Sequence, residues 1–227
     1  MGWLRLRSCA MNISFDIHTH RYPTHPGEVI LNCYPDDFHP DANGWYSVGI
    51  HPWIIDSGYT GRVETHPLSV LFAEHAQHPR VLAIGEAGVD KLAKAEISLQ
   101  EEFFKYQARL ADDLKKPLII HAVRSSDSLL RLKRELSPSE AWIIHGFRGK
   151  PELAEEYLNH GFYLSLGERY QKAALNRIPL DRLFLETDES PLPIELLYEQ
   201  VADDRNLSVD MLREVIAYNV SRVFFKS

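Results

Sequence analysis

The sequence predicts an α/β chain folded as a distorted (β/α)8 TIM barrel in which the helix of the first crossover is missing. Three observations carry that expectation. Short apolar runs alternate with longer segments of helical pattern. Five of these runs, FDIHTH, VLAIGEAGVD, PLIIHAV, AWIIHGF and LFLETDES, end in residue types that bind metals. Only RYPTHPGE separates the first expected strand from the second, fewer than the dozen or so residues that a helical parallel crossover requires. At 227 residues the chain is also slightly short of the roughly 250 common for this barrel.

Strands are expected near residues 13–19, 28–34, 46–51, 81–86, 117–123, 141–146, 162–166 and 183–187. Helices are expected at 67–77, 97–115, 125–136, 151–160, a short one near 170–177, then 193–203 and 208–224. In SLQEEFFKYQARLADDLKK the apolar positions Leu99, Phe103, Tyr106, Leu110 and Leu114 fall three and four apart, so this stripe should face the sheet. Ser125 and Ser208 precede helical patterns as N-caps, Pro117 marks a helix end and Pro151 a helix start. No composition shift or Gly/Ser linker divides the chain, so 1–227 reads as one domain, with 1–11 as a poorly structured extension and Met11 as an alternative start to Met1.

Hydrophobic residues make up 44% of the chain, enough for a sizeable core. The net charge is −7 with eleven histidines counted neutral, and no basic run of five occurs. That excludes a broad electrostatic surface for duplex DNA. Two cysteines, Cys9 and Cys33, make neither a disulfide framework nor a CxxC clip, which points to a reducing compartment, the cytoplasm. Arg5 and Arg7 interrupt the apolar start, so no secretory signal is expected, and no run approaches the ~18 apolar residues of a membrane span.

His18 and His20 are two apart, so on a strand both imidazoles face one side and can share a metal. Asp16 lies on the same face and is expected to orient a histidine; a buried polar cluster is the competing reading. Glu86 ends VLAIGE beside Ala-Gly, with little bulk around it, and can bridge two cations; its alternative is a salt bridge to Arg124 or Lys91. VLAIGE offers no lysine for a carbamylated bridge.

His121 and His145 close the near-identical patterns PLIIHAVR and AWIIHGFR, which argues for paired ligands with Arg124 and Arg148 beside an anionic substrate. Exposed helix-start arginines are the alternative. Asp188, just past the last strand, can complete a metal shell and take a proton from water, with Glu186 and Glu189 as neighbours able to raise its pKa. His51, in VGIHPW, suits a substrate or indirect contact better than ligation. His25, His39, His66, His75, His78 and His160 read as surface residues.

FDIHTH, GIHPW, IGEAGVDK, KPLIIHAVR, IIHGFRG, LFLETDESP and NVSRVF together resemble the TatD family of metal-dependent deoxyribonucleases, within the amidohydrolase-like metallohydrolases. The resemblance implies a distorted TIM barrel with two divalent metals. One site would be similar to His18, His20, Glu86 and Asp188, the other to Glu86, His121 and His145. It implies hydrolysis of phosphodiester bonds in DNA or RNA, often from the 3′ end, with some relatives linked to deacylation of mischarged tRNA.

This chain departs from the family pattern at the short first crossover, at a residue inserted in TDESP, and in PIELLYEQVADDRNLS, which has no counterpart of an Arg-rich loop with an Asn-Glu-Pro element. Two cations, Zn²⁺, Mn²⁺ or Mg²⁺, would activate water, with Asp188 and Glu86 catalytic. Arg124, Arg148, Lys91 and His51 would contact substrate. The expected substrate is a strand end or short oligonucleotide, with no membrane and no obligate protein partner. Hydrolysis of another ester or amide, and a non-catalytic metal-stabilised module, are the alternatives.

Overall fold

A computed structural model of the chain describes residues 13–226. The expected extension at 1–11, with Met1, Cys9 and Met11, lies outside them. The strands are β1 (Asp16–Thr19), β2 (Val29–Cys33), β3 (Trp45–Val48), β4 (Val81–Asp90), β5 (Leu118–Val123), β6 (Trp142–Ile144), β7 (Tyr163–Leu166) and β8 (Leu183–Leu185). All eight are parallel and neighbour one another in chain order. The sheet curls until its ends meet. Thr19 bridges Asp188, the His20 N–H donates to the Asp188 carbonyl at 3.1 Å, and the Asp188 N–H donates to the His18 carbonyl at 2.9 Å.

The helices are α1 (Pro67–His75), α2 (Ile97–Asp113), α3 (Ser126–Leu136), α4 (Pro151–Asn159), α5 (Lys172–Leu175), α6 (Ile194–Asp204) and α7 (Val209–Phe224). Leu118, Ile119 and Ile120 are consecutive and have no exposure. Both faces of the sheet are therefore covered, as in barrels ringed by helices. None of the described helices is long and apolar enough to cross a membrane.

The first crossover lacks an α-helix, as its length requires, and holds only a 3₁₀ turn at Pro26–Glu28. The second crossover is helix-free as well, with a 3₁₀ turn at Pro35–Asp37. Pro35, Pro40 and the Asn43-Gly44 pair break that segment.

β4 runs four residues beyond its expected end, to Asp90, and shifts register against β5 between Ile84 and Ala87. Two glycines permit this. Gly85 has φ +152°, where a Cβ would stand 2.7 Å from Ile119 Cβ, and a Cβ on Gly88 would lie 2.0 Å from the His121 carbonyl oxygen. Glu86 and Asp90 are four apart on this strand and so point to the same side.

Two expectations about helices are corrected. The buried face of α2 holds Gln100, Phe103, Phe104, Gln107, Ala108 and Ala111, whereas Leu99, Tyr106 and Leu110 lie at its half-buried edge. The two amides earn burial by bonding backbone: Gln100 bonds both the N–H and the carbonyl of Asp90, and Gln107 both groups of Ile50. Ser208 caps α7, accepting from the Met211 N–H at 3.2 Å, but Ser125 makes no such cap and instead donates to the Val89 carbonyl at 2.6 Å. His66 is buried rather than on the surface and accepts from the Leu68 N–H at the start of α1.

Candidate metal centre

The centre draws His18 from β1 and His20 from just past it, Glu86 from within β4, His121 from within β5 and His145 from just past β6, with Asp188 arriving from beyond β8. Glu86 is its hub, 3% exposed and reached from two sides. Its Oε1 lies 2.8 Å from His20 Nε2 and 3.4 Å from His18 Nε2. Its Oε2 lies 2.8 Å from His145 Nε2, 3.2 Å from His121 Nδ1 and 3.6 Å from His51 Nε2. Asp188 Oδ1 stands 3.6 Å from His20 Nε2 and 3.8 Å from His18 Nε2. The six residues singled out as ligand types in the sequence therefore converge. The alternative for Glu86 is not met, since its neighbours are imidazoles and not Arg124 or Lys91.

Burial by itself would raise the Glu86 carboxyl, but His145, His121 and His18 outweigh it and hold Glu86 well below the usual carboxylate range. His145 is pushed the other way: burial opposes its charge, yet Glu86 and Glu186 carry it well above an ordinary histidine. Burial raises Asp188. Glu186 adds to that rise as expected, and it is itself fully buried, its Oε1 accepting from His145 Nδ1 at 3.1 Å and from the Gly146 N–H at 2.7 Å.

Hydrogen bonds fix how the imidazoles are turned. Asp90, held below the usual range by the Leu92 N–H, His121 and Trp53 against the effect of burial, is an acceptor, so His121 Nε2 donates to Asp90 Oδ2 at 3.1 Å while Nδ1 faces Glu86 Oε2 at 3.2 Å. His145 donates through Nδ1 to Glu186, leaving Nε2 toward the centre. His51 differs. Its Nδ1 accepts from the Trp53 N–H at 3.1 Å, and burial lowers its pKa to about 4, so the single ring proton sits on Nε2. His51 therefore presents a donor, although it clusters with Glu86 and His121 closely enough to join a metal.

Asp16 corrects an expectation. It touches no imidazole but accepts from the His18 N–H at 3.1 Å, the Thr187 N–H at 3.1 Å and Thr187 Oγ1 at 2.6 Å. Burial pushes its carboxyl up to about 7 in spite of these donors, so its hydrogen bonds serve the barrel seam. Arg124, Arg148 and Lys91 stand exposed on the loops after β5, β6 and β4. Their side chains make no ion pair or hydrogen bond among the described residues, and the sequence pairing of Arg124 and Arg148 with the centre has no contact to support it. Asp90, Glu186, Gln100 and Gln107 were missed as supporting residues. The even spacing of Glu86 with Asp90 and of Glu186 with Asp188 was the available signal.

The donor set tests well for a cation. His18 is fully buried and neither ring nitrogen has a hydrogen-bond partner, a deficit of about 1–3 kcal/mol for each unpaired group. Among the described residues three clusters have ligand atoms close enough to hold an ion: His18, His20 and Glu86; His18, His145 and Asp188; and His51, Glu86 and His121. Imidazole and carboxylate together suit divalent cations.

Comparison with known proteins agrees with this geometry. The TatD related DNase family matches residues 39–225. An uncharacterized metal-dependent hydrolase of Bacillus subtilis, YabD, is 30% identical over 173 residues, 66% of this chain and 68% of that protein. A human protein named 3′-5′ RNA nuclease TATDN2 is 32% identical over 172 residues, which span 70% of this chain but 22% of that protein. The solved structure of YjjV, a TatD homologue from Escherichia coli, superposes with a TM-score of 0.77 at 18% identity, covering 96% of this chain and all of that one. With its barrel, its carboxylate hub and a match over most of its length, the chain belongs to the TatD family of metal-dependent hydrolases.

Proposed function

We propose that this protein hydrolyses phosphodiester bonds at the ends of DNA or RNA strands, using two divalent cations that share Glu86. The observation carrying this reading is the two-sided carboxylate: Oε1 faces His18 and His20, and Oε2 faces His121 and His145. One cation would be held by His18, His20, Glu86 and Asp188, the other by Glu86, His121 and His145, with Zn²⁺, Mn²⁺ or Mg²⁺ all compatible. Cations bound there supply Lewis acidity, polarising a phosphoryl oxygen and acidifying water.

Asp188 accepts a proton from the attacking water, its side chain being 41% exposed and so reachable from solvent. His51 Nε2–H donates to a phosphoryl oxygen, and the unpaired Arg124, Arg148 and Lys91 on the rim offset developing negative charge. The names of relatives such as TATDN2 support a nucleic-acid substrate. The net charge of −7 favours capture of a strand end over gripping of long duplex. The cysteine usage fits the cytoplasm.

The test is purified protein stripped with a chelator, reloaded with each cation, and assayed on end-labelled single-stranded DNA, RNA, duplex DNA and generic esters. Metal-dependent shortening of single strands from an end is expected. Ester hydrolysis without any cleavage of nucleic acid overturns the reading, with Glu86→Ala as the control for contaminating nucleases.

A further inference from the structure

Among the described residues seven large apolar side chains are prominently exposed, and three of them, Tyr22, Trp53 and Leu92, sit on loops at strand ends around the centre. Trp53 stands out because it is fixed. It follows His51 in a 3₁₀ turn at Pro52–Ile54, its indole N–H donates to Asp90 Oδ2 at 2.7 Å, and its backbone N–H donates to His51 Nδ1 at 3.1 Å. Yet 65% of the residue is exposed. Its ring centroid lies 6.1 Å from that of His121 and 5.1 Å from that of His51, nearly edge-on to both.

An indole tethered by its polar edge has lost little further freedom to lose on binding, and its exposure to water favours covering it. Asp90 is the tether, and the same Oδ2 accepts from His121 Nε2, whose other nitrogen faces Glu86. A planar group lying on Trp53 is thus one imidazole away from the hub of the site. Asp90 has its other oxygen on the Leu92 N–H at 2.7 Å, which fixes the start of the neighbouring loop.

We infer that Trp53 is a stacking platform for the nucleobase flanking the phosphate bound at the centre, a positioning contact that reads an unpaired base by its face and not its identity. The inference rests on the nuclease reading for the class of ligand. An unpaired base offers a π-face to such a ring whatever its sequence, whereas a base inside a duplex is already stacked on its neighbours. Single-strand preference without sequence preference follows.

The experiment compares a normal single-stranded oligonucleotide with one carrying abasic residues at its end, in the metal-loaded wild type and in Trp53→Ala and Trp53→Phe. In the wild type, removal of the bases raises KM by roughly 5- to 100-fold, the range that base–aromatic stacking commands. Trp53→Ala raises KM for the normal strand by a similar factor and no longer distinguishes the two strands. Trp53→Phe keeps a ring and keeps the discrimination, which separates stacking from the hydrogen bond to Asp90.

Equal KM for normal and abasic strands in the wild type overturns the inference, as does discrimination that survives in Trp53→Ala. A second readout does not need turnover: deoxynucleoside monophosphates quench tryptophan fluorescence in the wild type, and Trp53→Phe abolishes that quenching. Should the wild type cleave no strand at all, the nuclease reading fails, and quenching alone decides whether Trp53 holds a base. Lack of quenching there overturns the platform.

Discussion

The two walls of the centre are built differently. On the β5/β6 wall each imidazole is held from behind by a buried carboxylate, His121 by Asp90 and His145 by Glu186. On the β1 wall no carboxylate backs His18, whose ring nitrogens are unpartnered, and the carboxylate Asp16 is engaged with backbone at the seam. The first wall is held by its own hydrogen bonds; the second is arranged by the closure of the barrel and leaves the ring nitrogens of His18 for a cation to satisfy. Carboxylate support fixes ring orientation and raises the basicity of the donor nitrogen. The β5/β6 wall should therefore bind its cation more tightly.

The largest expected effect removes the element common to both walls. Glu86→Ala should lose bound metal on both sides and lower turnover by roughly 10³-fold or more, read by metal analysis of the purified variant beside its activity. Asp188→Asn, confined to the seam side, should keep the β5/β6 cation and lose about 10²- to 10⁴-fold in kcat through the missing proton acceptor. Full activity in either variant breaks the scheme. Asp90→Asn and Glu186→Gln should each weaken cation affinity by about 10- to 100-fold, and calorimetric titration should show this loss in the tighter of two binding steps. If the weaker step moves instead, the contrast between the walls is wrong. The smallest effect is on stability: chelation should lower Tm by roughly 5–10 °C, from about 2.7 kcal/mol of linked binding at a hundredfold excess over Kd. Reloading should restore it.

Much of this architecture was legible because the barrel writes its site at strand ends. An apolar run closed by His, Glu or Asp states both a strand and the residue at its mouth, and the six convergent residues were each marked that way. The missing first helix was legible from chain length alone. What escaped were residues whose partners are backbone groups or lie across the barrel. Gln100 and Gln107 look like a solvent-facing polar edge of α2 until the main-chain groups of Asp90 and Ile50 are seen to need them. Asp90 was hidden because β4 continues past Glu86 through Gly88, where close approach to His121 keeps the strand paired. Asp16 was placed on the correct face, but nothing local announced that Thr187, 171 positions away, would bond its carboxyl.

The seam joins Thr19 to Asp188 across 169 positions of chain. A chain emerging from the ribosome carries His18 and His20 long before Asp188, which follows most of the barrel. Until that late segment lies against β1, the donors from the two ends have no common pocket. Hydrolytic competence is thereby tied to completion, and activity itself becomes a report that the barrel has shut.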